Sequence, residues 1–115
     1  MTSNRHKATD PKPPAHLAAE TKAWWSEIVG LYRLEAHHLR ILTLAAEAWD
    51  RCQEARKAIA KHGLTFNKHG QPTARPEVNI ERDARVGFAR MLRELSLDVL
   101  PPEEVRLPRR AGTGD

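Results

Sequence analysis

The chain has 115 residues, 40% of them hydrophobic and 30% charged, and its 19 lysines and arginines exceed the 15 acids to give a net charge of +4. This composition is ordinary for one small globular domain, and the chain has no run of about 18 apolar residues, which argues against a membrane span and a membrane partner. A single cysteine, Cys52, excludes a disulfide within the chain and favours a cytoplasmic location.

The first 15 residues form the most polar and proline-rich part of the chain. Prolines at positions 11, 13 and 14 accompany basic residues and almost nothing apolar, a pattern typical of an extended arm. We therefore predict a flexible basic arm over residues 1–15. It is either a solvated tail or an arm that follows DNA phosphates with Arg5, Lys7 and Lys12.

A first helix is predicted to begin near Leu17 or Ala18, after the prolines, and to end at Leu31. Its two adjacent tryptophans, Trp24 and Trp25, point about 100° apart on a helix and cannot share one environment. One should anchor the core, and the other should pack against the next helix or a neighbouring subunit.

The longest segment free of proline and glycine runs from Ala36 to His62 and predicts a long central helix that forms a helical hairpin with the first. Its apolar positions cover more than half of the helix circumference, which is wider than one interface requires. The remaining strip is almost wholly charged. The second apolar side must be covered either by the flanking helices of the same chain or by another copy.

After His62, Gly63 suits a helix C-cap, and the residues that follow predict a short hairpin or an ordered loop. Leu64 and Phe66 alternate with polar residues, and a turn is expected over 67–70. The segment is either a plain connector or a source of phosphate contacts from Lys68 and Arg75.

A third helix is predicted from Glu77 to Leu97, with Pro76 in its first turn. Its apolar residues fall on one face, and its arginines spread over the opposite face. That second face is either a solvated surface with internal ion pairs or a DNA-contacting surface. The arginines are Arg82, Arg85, Arg90 and Arg93.

The predicted domain spans residues 16–100, and a flexible tail is predicted over 101–115 because Pro101 and Pro102 end any helix. Val105 and Leu107, among three arginines, form either a short docking motif for a partner protein or part of a plain tail. The sequence shows no catalytic constellation, metal-ligand spacing or nucleotide-binding fingerprint. We expect a non-enzymatic protein without a cofactor or metal.

Four patterns in order resemble one family. PPAHL precedes a tryptophan-containing helix, L-x-x-x-H-x-x-x-L and EAW lie in the long helix, a G-L-T-x loop runs to R-P, and the last helix ends in LRELSLDVLPP. Over about Pro13 to Pro108 the chain resembles the small terminase subunit of tailed double-stranded DNA phages.

The resemblance implies a non-enzymatic adaptor in the cytoplasm of the bacterial host. It implies a homo-oligomeric ring that recognises viral DNA and recruits and regulates the large terminase subunit, which carries the ATPase and nuclease. The family commonly has Ser or Asp caps where this chain has Ala18 and approximately His38, so we expect weaker helix starts there, by about 1 kcal/mol each.

With a ring as the implied assembly, the second apolar side of the long helix becomes the predicted seam between subunits, and Trp49 is expected to pack on the first helix. The predicted interface comprises Trp24, Trp25, Ile41, Ala45, Ala48, Trp49 and Cys52. The predicted contacts to double-stranded DNA are Arg82, Arg85, Arg90, Arg93, Lys68, Arg75, Arg5, Lys7 and Lys12.

The alternative interpretation is a small dimeric helical DNA-binding regulator or a protein-interaction module. A DNA-reading helix commonly follows a short turn and carries its contacts near its N-terminus. Here the third helix follows a longer segment, and its arginines are distributed along it.

Overall fold

A computed structural model describes residues 10–96 of the chain. It contains α1 (Ala19–Leu31), α2 (Ala36–His62), β1 (Thr65–Lys68), β2 (Gln71–Ala74) and α3 (Pro76–Glu94). The predicted helical class is confirmed, with one small antiparallel sheet between α2 and α3. Most of the predicted N-terminal arm (residues 1–9) and the whole predicted C-terminal tail (101–115) lie outside the described residues.

The long helix α2 has the bounds that its sequence predicts. It ends where Gly63 adopts a φ of +87°, and the Gly63 N–H donates to the Ile59 carbonyl over 2.7 Å. At its start, the Glu35 N–H donates to His38 Nδ1 over 3.1 Å in a reciprocal capping arrangement. His38, which we expected to mark a weak cap, therefore supports this end of the helix.

The start of α1 is held by a side chain of α2. Ala18 offers no capping side chain, but Asp50 accepts the Ala18 N–H over 2.8 Å and the Thr21 hydroxyl over 2.5 Å. His16 and Glu47 make a further contact of 2.7 Å between the same two segments. The missing local cap is thus replaced by a carboxylate from the neighbouring helix, which sequence spacing alone does not reveal.

The core between α1 and α2 is centred on Trp25 and Leu42, both almost fully buried. The indole Nε1 of Trp25 donates to Thr43 Oγ1 over 3.2 Å, so its polar atom is satisfied inside the core. Ala46 from α2 and Leu95 from just after α3 belong to the same cluster. Trp25 is therefore the tryptophan that anchors the fold.

The most extensive contact between elements joins α2 and α3. Ala45, Cys52 and Ala55 on α2 are buried, and Cys52 Sγ donates to Glu81 Oε2 of α3 over 3.6 Å. Small side chains allow two helices to approach closely. The second apolar side of α2 is therefore covered largely by a helix of the same chain.

This packing changes the predicted subunit seam. Trp25, Ala45 and Cys52 are between 0% and 3% exposed within a single chain, so they have no surface to give to a second copy. Burial within one chain does not support a place for these three residues in the seam, which stays a prediction, because a helical wheel measures the width of an apolar arc but does not identify what covers it. Trp24, Ile41, Ala48 and Trp49 keep part of their surface.

The segment after α2 folds as a hairpin, which resolves the alternative between hairpin and loop. Thr65 pairs with Ala74 and Lys68 with Gln71. His69 and Gly70 both have positive φ, as a two-residue hairpin turn requires. The Arg75 N–H donates to the Leu64 carbonyl over 2.9 Å and closes the base of the hairpin just before α3.

The role of Asp50 gives a first prediction. Replacing Asp50 with Ala should lower the free energy of unfolding by about 1–2 kcal/mol, because it leaves the Ala18 N–H and the Thr21 hydroxyl without their acceptor. Urea denaturation followed by circular dichroism measures the loss. Glu54→Ala, which removes an exposed acid one turn further along α2, is the control and should change stability by less than about 0.5 kcal/mol. Equal effects of the two variants would contradict the proposed cap.

Candidate nucleic-acid interface

The four arginines of α3 lie on the side of the helix that faces away from the core. Ala84 is buried on the inner side, whereas Arg82, Arg85, Arg90 and Arg93 are all exposed. At 100° per residue they cover an arc of roughly 140° on the outer side. The predicted separation of an apolar and a basic face is therefore present in the structure.

Two of these arginines make ion pairs with acids on their own helix. Arg85 Nε lies 3.3 Å from Glu81 Oε2, and Arg82 lies 3.3 Å from Asp83 Oδ1. Both arginine side chains remain more than half exposed, so these pairs contribute little to stability and are readily exchanged for a phosphate. Between residues 10 and 96, no acid lies within ion-pair distance of Arg90 or Arg93, which leaves their charges available to an anion.

Glu81 links this face to the rest of the fold. Its carboxylate accepts from Arg85 Nε and from Arg56 Nε of α2, the latter over 3.0 Å, and its side chain is only 16% exposed. Hydrogen bonds from Arg85 and then Arg56 hold the pKa of Glu81 below its ordinary value. Burial raises the pKa of the Cys52 thiol beside it, so that thiol stays protonated and apolar.

Arg56 is a basic residue of this region that the sequence did not single out. The pairing of Glu81 with Arg85 one turn later follows from helical spacing. The contact between Arg56 and Glu81 joins residues 25 positions apart, so only the packing of α2 on α3 brings them together.

The other predicted basic contacts lie on separate elements. Lys68 ends β1 and is exposed, and Lys12 is exposed ahead of α1. The Arg75 guanidinium lies 5.8 Å from the centre of the Phe66 ring, where it packs on the hairpin. Arg5 and Lys7 lie outside the described residues.

Neither a metal site nor a membrane-spanning helix accompanies the arginine face among the described residues. Within residues 10–96, no three histidine, cysteine or acidic side chains come together in a group that could hold a metal ion. No helix in that range is long and apolar enough to cross a membrane. The arginine face of α3 is the clearest candidate for a binding surface.

Comparison with models of protein families shows which family the chain belongs to. A model of the family described as phage terminase, small subunit, matches residues 21–107, which is most of the chain. The chain belongs to the phage terminase small subunit family. No curated protein and no solved structure matches it. The resemblance found in the sequence patterns is therefore confirmed.

Membership of the small terminase family supports a role in phage genome packaging. Small terminase subunits are generally non-catalytic adaptors, and their partners in general are DNA and the large terminase subunit. A face of exposed arginines on a small helical scaffold is compatible with that class of protein.

Glu81 gives a prediction about pH. Because its folded pKa is lowered, Glu81 adds stability above its ordinary pKa of 4.5, and this contribution is lost as pH falls through the folded pKa. Glu81→Gln should therefore be less stable than the native chain at pH 7, and the difference should shrink towards pH 3.5. Urea midpoints at several pH values measure it.

The matched control for that experiment is Glu94→Gln, which removes one exposed acid at the other end of α3. Its stability difference from the native chain should change little with pH. A Glu81→Gln deficit that stays constant between pH 7 and pH 3.5 would contradict the assigned ion pairs.

Proposed function

We propose that this chain is a ring-forming, DNA-binding adaptor that recognises viral DNA at the start of packaging. In this proposal it recruits and regulates the large terminase subunit in the cytoplasm of the bacterial host. The observation that carries the proposal is the arginine face of α3, which is turned away from the core on a chain of the small terminase family.

The chemistry of this face favours phosphate contacts. Guanidinium groups pair with phosphate oxygens in a bidentate manner, and contacts to phosphates position a protein on DNA without reading its sequence. Arg90 and Arg93 have no acidic partner among residues 10–96, so binding them to phosphate breaks no ion pair there. We assign to Arg90 and Arg93 the largest share of the DNA-binding free energy of each subunit.

The remaining basic residues add to this face. We propose that Arg82 and Arg85 exchange their exposed ion pairs for phosphates, and that Lys68 and Arg75 of the hairpin region contribute further contacts. The predicted arm supplies Arg5, Lys7 and Lys12. Because each contact is weak, summing them over several subunits of a ring makes the binding effective.

The proposed seam between subunits is an apolar strip on the N-terminal half of α2, defined by Ile41, Leu44 and Ala48. These residues follow a spacing of three and four, so they share one side of the helix. Leu44 is 52% exposed, and the other two are partly exposed. We place Leu44 in this seam in place of the three buried residues; beyond the strip Trp49 is exposed and Trp24 is partly exposed.

The DNA contact is tested by salt dependence. Removing Arg90 and Arg93 together, both to Ala, should flatten the plot of log affinity against log salt by about 0.9 per lost phosphate contact, or roughly 1.8 per bound subunit. Fluorescence anisotropy with labelled double-stranded DNA over a range of salt concentrations measures the slope.

The control for this double variant is Lys57→Ala with Lys61→Ala, which removes the same charge from the exposed side of α2. Its slope should stay close to that of the native chain. If both double variants lower the slope equally, the effect comes from net charge alone and the assignment to α3 fails.

The assembly is tested separately with Leu44→Asp. This change should reduce the particle mass measured by light scattering after gel filtration, since it places a charge in the seam. Helical content should stay unchanged because Leu44 is largely exposed. Leu64→Asp, at a leucine that is 61% exposed outside the strip, should keep the native mass. A native particle with the mass of one or two chains would overturn the ring, and a mass of two chains would favour the dimeric regulator.

A further inference from the structure

An aromatic cleft lies where the three helices meet, and the proposed packaging role does not use it. Trp24 of α1, Trp49 of α2 and Phe88 of α3 line a space of about 250 Å³, together with Glu20 and Thr21. The ring centres of Trp49 and Phe88 are 5.2 Å apart, and those of Trp24 and Phe88 are 5.8 Å apart. Trp49 is 40% exposed at the open side, so the cleft accepts an apolar group from outside.

The rim of the cleft is acidic. The cleft continues past Trp49 into a polar groove lined by the acids Glu20, Asp50 and Glu54, together with Lys57 and with His16, which contacts Glu47. Asp50 is already engaged at the start of α1, whereas Glu20 and Glu54 are exposed. Such a rim repels phosphates and attracts a cationic peptide.

We propose that this cleft holds residues 105–110 of the same chain, with the sequence Val-Arg-Leu-Pro-Arg-Arg. In an extended segment Val105 and Leu107 point to one side and Arg106 to the other. Proline-containing segments bind aromatic grooves with a low entropic cost because their backbone is already restricted. Leu107 and Pro108 would occupy the aromatic walls while Arg109 and Arg110 meet the acidic rim.

The chain is long enough for this contact. Phe88 lies six helical positions before Glu94, the last residue of α3, which corresponds to about 9 Å along the helix. Residues 97–104 span up to about 26 Å when extended. Leu95 is fully buried in the core, so the chain leaves α3 against the body of the domain.

Charge and tethering favour this segment over a separate partner. The segment carries three arginines and two aliphatic side chains, which complement the acidic rim and the apolar walls. A tether of only eight residues gives an effective concentration in the millimolar range, so even a weak contact is occupied. A free peptide of similar composition would have to reach that concentration in solution.

Tryptophan fluorescence tests the proposal in the full-length chain. Val105→Asp with Leu107→Asp should uncover Trp24 and Trp49 and raise the acrylamide quenching constant roughly twofold, because two of the three tryptophans line the cleft. Ala111→Asp with Thr113→Asp adds the same charge nearby and should leave quenching unchanged. Equal quenching in both variants, with native circular dichroism, would overturn the proposal.

A disulfide assay then identifies which copy supplies the segment. In a Cys52→Ala background, Glu20→Cys with Leu107→Cys should form an intrachain bond at least about tenfold faster than Lys61→Cys with Leu107→Cys. Non-reducing gels separate the products. Dimers linked between chains would overturn the assignment to the same chain, and equal rates for both pairs would overturn the docking site. Neither readout involves DNA or ring size, so this test and those of the packaging role fail independently.

Discussion

The structure depends on the packing of α3 along the small side chains of α2. Ala45, Cys52 and Ala55 present little bulk, so a second helix can lie close against them and bury the apolar side of α2 that α1 does not reach. With α2 covered from two directions, a chain with a small core gains a continuous interior. Each surface of functional interest is defined by what this packing leaves uncovered.

Three surfaces of different chemistry result. The inner face of α3 is occupied by α2, so its outer face carries arginines without a desolvation cost. The N-terminal half of α2 extends an apolar strip around Leu44, and the junction of the helices forms an aromatic cleft with acids at its rim. Their chemistry suits phosphates, another copy of the chain and a cationic peptide respectively, so one small domain has room for three contacts that do not compete chemically.

The sequence predicts local features well and contacts between elements poorly. The bounds of α2 follow from the absence of glycine and proline up to Gly63, and the hairpin follows from alternation around a turn ending in Gly70. The outward face of α3 follows from helical period. Periodicity does not predict which helix packs on the second apolar side of α2, because it gives only the positions of apolar residues around one helix. The Asp50 cap and the Arg56 contact were missed for the same reason, since both join distant positions.

The hydrogen bonds of Asp50 make the folding of α1 dependent on that of α2. With 13 residues and no side-chain cap of its own, α1 is too short to be a stable helix in isolation. Its first turn forms only against a finished α2, so the two helices belong to one cooperative unit in which α1 is the dependent partner. When α1 detaches, the aromatic cleft loses the wall that Trp24 provides. The cleft therefore exists only while α1 is in place, and its occupant and the folding of α1 stabilise each other.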